Sequence, residues 1–121
     1  MNPDQSEIST IEQRLKSSTK RLHALSAQVG AAKQVRNYDA DRRKNLLAKY
    51  VVRYLEAGES ATAAEQYARA DGAYQSELEF LAKGHESAEQ TIAEWDAEFA
   101  SFEAARSLLS MQKETMRTLE G

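Results

Sequence analysis

Residues 57–60 read Ala57-Gly58-Glu59-Ser60, and they interrupt a helical pattern that runs on both sides of them. Gly58 can take the left-handed backbone that ends a helix. Ser60 or Thr62 can cap the next helix, and Thr62-Ala-Ala-Glu65 has the spacing of a capping box. A chain of 121 residues that stops and restarts a helix near its middle has two long helices to lay against each other.

Working outward towards the N-terminus, Ile8, Ile11, Leu15, Leu22, Leu25, Val29 and Ala32 recur at steps of three and four, with Ser18 in one polar slot. This is the heptad spacing of a coiled-coil seam. It predicts helix 1 over about 6–56, with Ser6 or a neighbour as its cap and residues 1–5 as a frayed tail. Towards the C-terminus, Tyr67, Asp71, Tyr74, Leu78, Leu81, His85, Ala88, Ile92, Trp95, Phe99, Phe102, Arg106, Leu109, Lys113 and Met116 keep the same rhythm. They predict helix 2 over about 61–119, after a turn at about 57–61, with Gly72 and Gly84 as weak points because glycine costs ~1 kcal/mol in a helix relative to alanine.

The two seams specify a register. Leu22 with Trp95, Leu15 with Phe102, Leu25 with Ile92, Val29 with Ala88 and Ile8 with Leu109 share one constant sum of residue numbers, and its midpoint falls between Gly58 and Glu59. Nearer the turn the same register would place Arg36, Asp39 and Arg43 in the seam, whereas Val35, Tyr38, Leu46, Leu47, Tyr50, Val51 and Tyr54 suggest a phase shift there. A stutter accounts for it, since a straight helix drifts from the heptad. The expected fold is all-α: one domain over 1–121, a long antiparallel helical hairpin. Off-seam apolar residues, among them Val35, Leu47, Val51, Val52, Phe80, Leu108 and Met111, imply a second packing surface. Two hairpins paired through it would make a dimeric four-helix bundle with a self-complementary interface.

Composition agrees with this reading. The sequence has one proline, Pro3, five glycines and no cysteine, and is rich in strong helix formers. Without cysteine there is no disulfide, thiolate metal site or cysteine nucleophile. No apolar run reaches the ~18–20 residues that span a bilayer. The opening MNPDQSEIST lacks the basic and apolar regions of a signal peptide. The expectation is a cytoplasmic protein with no membrane association.

The net charge of −3 conceals an asymmetry: residues 1–56 carry eleven Lys/Arg and six Asp/Glu, whereas residues 57–121 carry five and thirteen. Two helices of opposite charge that attract each other explain this directly. A possible basic patch gathers Lys33, Arg36, Arg42, Arg43 and Lys44 around Tyr38, a composition that could touch phosphates and stack on bases. A possible acidic partner face holds Glu77, Glu79, Glu86, Glu89, Glu94, Asp96, Glu98 and Glu103. Ordered negative charge of that kind can compete for surfaces that bind nucleic acid.

Catalytic chemistry is hard to place on this chain. His23 and His85 are out of register with each other, and His85-Glu86-Ser-Ala-Glu89 lacks the second histidine of the zinc helix pattern HExxH. No Gly-rich phosphate loop occurs. Glu77/Glu79 and Glu94/Asp96/Glu98 are spaced by two, which splays them to different helix faces. No catalytic residue, metal ligand or cofactor is expected. The run Trp95, Phe99 and Phe102 is expected in the core.

The stretch Trp95-Asp-Ala-Glu-Phe-Ala-Ser-Phe-Glu-Ala-Ala-Arg106-Ser-Leu-Leu, in so short a chain, resembles small phage- or prophage-encoded helical accessory proteins. The resemblance covers the C-terminal half and carries over no functional residue. Secreted helical hairpins with a Trp-x-Gly turn are a poor match, since this turn reads Ala-Gly-Glu-Ser. The functional expectation is a non-catalytic coiled-coil interaction module that self-associates and binds a protein partner. Two alternatives stand beside it: an acidic inhibitor of a nucleic-acid-binding enzyme such as a host defence nuclease, and a single-strand DNA accessory factor using the basic patch.

Overall fold

A computed structural model describes residues 5–120, and within them the protein is all-helical. Helix α1 spans Gln5–Glu56, α2 spans Ala61–Ala70 and α3 spans Gly72–Glu120. Residues 1–4 of the expected tail lie outside the described residues. Gln5 opens α1, so Ser6 sits inside the first turn, where its carbonyl accepts from the Thr10 hydroxyl at 3.0 Å. No described helix is long and apolar enough to cross a membrane.

The turn forms as its residues dictate. Gly58 has φ +95°, the left-handed region open to glycine. The Gly58 N–H donates to the Leu55 carbonyl at 3.0 Å and the Glu59 N–H to the Tyr54 carbonyl at 3.1 Å. This pair of bonds closes α1 as a Schellman motif. Ser60 is the N-cap of α2, its hydroxyl accepting from the Ala63 N–H at 3.2 Å. Thr62 therefore lies within α2, and the capping-box alternative is not used.

The single helix expected over 61–119 is divided at Asp71. Its backbone is extended, φ −66° and ψ 126°, and its N–H closes α2 on the Ala68 carbonyl. Its carboxylate then starts α3: Oδ1 accepts from the Ala73 N–H at 2.8 Å and the Tyr74 N–H at 3.2 Å. Aspartate is among the best N-cap residues, and these N–H groups have no partner within the helix. Asp71-Gly72 is thus a helix boundary, not a seam position.

The chain clusters into two compact units, one of Met1–Val29 with Thr91–Gly121 and one of Gly30–Gln90. In the first unit Ile8, Ile11, Val29, Ile92 and Ala105 are buried, together with Ser18. Arg14 donates to the Ser101 hydroxyl at 3.0 Å, and Arg21 lies 3.5 Å from Glu98. The expected register assigned these arginines to positions 103 and 96, so the observed partners are within two residues of it.

The second unit has a different register. Tyr50, Ala68 and Tyr74 form its buried cluster, flanked by Leu46, Leu47, Val51, Tyr54 and Leu78. The Tyr50 and Tyr74 rings meet edge to face at 5.7 Å. The expected register paired Tyr50 with Tyr67; Tyr67 instead lies against Tyr54, with ring centroids 5.7 Å apart. The cause is α2, a short separate helix that packs through Ala64 and Ala68, both 0% exposed. By taking up ten residues between α1 and α3, it moves the partners of α1 in this unit further along α3.

Candidate functional site

The seam residues fall mostly where heptad spacing places them. Ile8, Val29 and Ile92 are buried. Leu15, Leu22, Leu25, Leu78, Leu81, Trp95, Phe102 and Leu109 are half-buried. Phe99 is the exception: it is 42% exposed and stacks on Trp95, centroids 5.2 Å apart and planes 7° from parallel. Beyond Trp95 the inner positions are Glu98, Ala105 and Gln112 in place of Phe99, Arg106 and Lys113. Turning α3 this way buries Ala105 and leaves the Arg106 and Lys113 charges in water, which avoids the cost of desolvating them. Phe99 keeps part of its contact by stacking.

In the second unit Asp39 and Arg43 stay half-buried on the inner side of α1, where the sequence suggested a stutter. The Arg43 guanidinium donates to Asp39 Oδ2 at 2.9 Å. His85 stands between two carboxylates, Nδ1 3.8 Å from Asp39 and Nε2 3.9 Å from Glu89. Arg36 grips Glu89 with two hydrogen bonds, at 2.7 and 3.2 Å, and this bidentate pair holds the Glu89 carboxyl below its ordinary range. The result is a charged layer across α1 and α3. Its signal was present in the sequence, because the heptad placed Asp39, Arg43 and His85 on inner positions.

The residues of the expected basic patch spread over more than one face of α1. At ~100° per residue, Arg42 and Lys44 project roughly 160° apart around α1. Arg43 is tied to Asp39 and Arg36 to Glu89, and Lys33 is exposed. The acidic face is engaged in part. Glu77 accepts from the Tyr50 hydroxyl at 2.6 Å and lies 3.6 Å from Lys49. The phenol hydrogen bond depresses the Glu77 carboxyl and raises the Tyr50 hydroxyl. Glu79 pairs with Lys83, Glu98 with Arg21 and Glu103 with Arg106. Glu86, Glu94 and Asp96 form no ion pair among the described residues. His23 is exposed in the first unit. No group of three or more His, Asp or Glu among the described residues is placed to hold a metal ion.

What remains on the surface is apolar. Phe80 is 77% exposed and Met111 66% exposed, and Tyr38, Val52, Leu108 and Leu119 are exposed as well. In the first unit Met111 and Leu119 line a shallow hollow with Glu114, Thr115 and Thr118. In the second, Phe80 stands over a groove of about 380 Å³ between α1 and α3. Phe80 and Met111 are legible in the sequence as off-seam residues, but the heptad register does not bring Phe80 to Arg42 and Lys49 of α1, because it does not hold near the turn. No protein family, curated protein or solved structure matches the chain.

Proposed function

We propose that this chain is a non-catalytic interaction module: a coiled-coil helical hairpin that pairs with a second copy into a four-helix bundle and presents its remaining surface to a protein partner. The observation that supports it is the set of large apolar side chains left outside the seam, Met111 and Phe80 above all. Apolar residues at helical spacing on an otherwise charged surface are costly in water and fit a partner helix. Self-association uses the end of α3, where Leu108, Met111, Thr115 and Leu119 follow one helix face. The partner is a protein, and the site of action is the cytoplasm.

Because the chain has no cysteine, a Ser17→Cys variant, at an exposed position of α1 away from that face, carries one label per chain. Mixing donor-labelled and acceptor-labelled populations at micromolar concentration gives energy transfer if copies pair, and Met111→Glu abolishes it. Absence of transfer at all concentrations contradicts the proposal. A second reading, an acidic inhibitor of a nucleic-acid-binding enzyme, draws support from Glu94 and Asp96, which no cation of the chain neutralises among the described residues. It requires competition with DNA for a basic enzyme, lost in a Glu94→Gln, Asp96→Asn variant.

A further inference from the structure

The groove of the second unit has a chemistry of its own. Leu46 and Leu81 form its floor, and Phe80 rises beside them as a wall. Arg42, Asn45 and Lys49 line the opposite rim from α1. They are spaced by three and four, so they share one helix face, with Tyr38 on the same face one turn earlier. Arg42 forms no ion pair among the described residues. Arg53, further along this flank, lies over the Tyr50 ring at 4.7 Å. Glu77 is the one acid lining the groove, and Tyr50 and Lys49 already engage it. Glu86 and Glu89 project roughly 120° and 180° around α3 from Phe80, and so face away. Lys49 answers Glu77 within the groove and Arg42 is left over, so a chain with a net charge of −3 presents a cation beside an apolar floor here. Gly84, one turn after Phe80, has nothing within 4 Å of where a Cβ would stand, so a partner helix can approach closely there.

We propose that this groove binds an acidic amphipathic helix of a partner protein, with a large apolar side chain on Leu46, Leu81 and Phe80 and a flanking carboxylate on Arg42. Charge decides the occupant. A carboxylate matches Arg42, and an apolar residue at helical spacing matches the floor. Phosphate-bearing strands would find the cations but would place their sugars against leucine. The inference rests on the interaction-module reading and names the class of partner.

The test uses the full chain and a fluorescent synthetic peptide with Leu at i, i+4 and i+7 flanked by Glu, beside a counterpart with Lys for every Glu. The acidic peptide binds, binding weakens with added salt, and the lysine peptide binds at least about tenfold more weakly. Phe80→Ala and Arg42→Glu each weaken binding about tenfold or more while the helical circular dichroism is unchanged, since both residues are exposed. Met111→Glu leaves binding intact. Equal binding of the two peptides, no binding of the acidic one, or full affinity in Phe80→Ala overturns the inference. So does preferential binding of a single-stranded oligonucleotide. Loss of self-association in Phe80→Ala assigns the groove to a second copy and overturns it as well. If copies pair through α3 but the acidic peptide does not bind, the groove inference fails alone; if copies do not pair, the self-association reading fails.

Discussion

The Tyr54 hydroxyl donates to Asp71 Oδ2 at 2.7 Å, joining the last turn of α1 to the residue that ends α2 and begins α3. Both oxygens of this carboxylate are used, one by the phenol and one by the N-terminus of α3. The Tyr54 hydrogen bond, followed by the backbone N–H groups, holds the Asp71 carboxyl below its ordinary range. The sign of the pH effect follows. A depressed carboxyl contributes stability that is present above the ordinary aspartate range and is lost as pH falls through the folded value. The Tyr54 hydroxyl is raised by the same bond, so its contribution is present below the ordinary phenol range and is lost as pH rises through the folded value. In urea titrations across acidic pH, Asp71→Asn flattens the fall in stability that the parent shows. Asp71→Ala destabilises more than Asp71→Asn at neutral pH, because asparagine can still cap α3.

Ile92 and Phe99 should respond differently to truncation. Ile92 is 3% exposed, and Ile92→Ala should cost about 2–5 kcal/mol. Phe99 is half in water and rests on Trp95, so Phe99→Ala should cost about 0.5–1.5 kcal/mol, the worth of a stacked pair. Equilibrium unfolding of both variants checks this. Equal losses would place Phe99 in the seam that heptad counting assigned to it.

How far the sequence could be read is shown by these residues. Heptad spacing located Ile8, Val29 and Ile92 because buried aliphatic residues dominate that signal. It failed at Phe99, since positions either side of a seam differ by one residue and only packing selects between them. It also failed at Asp71: Asp-Gly is a helix-boundary signal, but the periodicity of Tyr67, Tyr74 and Leu78 hid it. The groove at Phe80 could not be read at all, because it depends on which part of α1 faces α3, and the length of α2 sets that.

Close packing of α2 predicts a sharp response at Ala68, which touches the Tyr50–Tyr74 cluster. Ala68→Leu should cost about 1–3 kcal/mol by overpacking. Ala70→Leu, at an exposed position two residues on, should change stability by less than about 0.5 kcal/mol. Thermal melts followed by circular dichroism distinguish them.

The polar layer of Asp39, Arg43 and His85 predicts a trade of stability for register. Replacing all three with leucine should raise or preserve the melting temperature, because apolar residues of similar volume pack without a desolvation cost. Asp39→Leu alone should lower it, since the half-buried Arg43 loses its carboxylate partner. A Lys44→Cys, Lys83→Cys double variant, at exposed positions outside this layer, reports the register through the distance between two nitroxide labels. The distance distribution should be single and narrow with the layer intact, and broader in the leucine background, where neighbouring registers compete.

Sedimentation velocity on the intact chain across the micromolar range tests whether two copies pair through the end of α3. The expected result is a species of twice the 13.5 kDa chain mass, a shift to the monomer in Met111→Glu, and an unchanged dimer in Phe80→Ala. A single 13.5 kDa species at every concentration would contradict it.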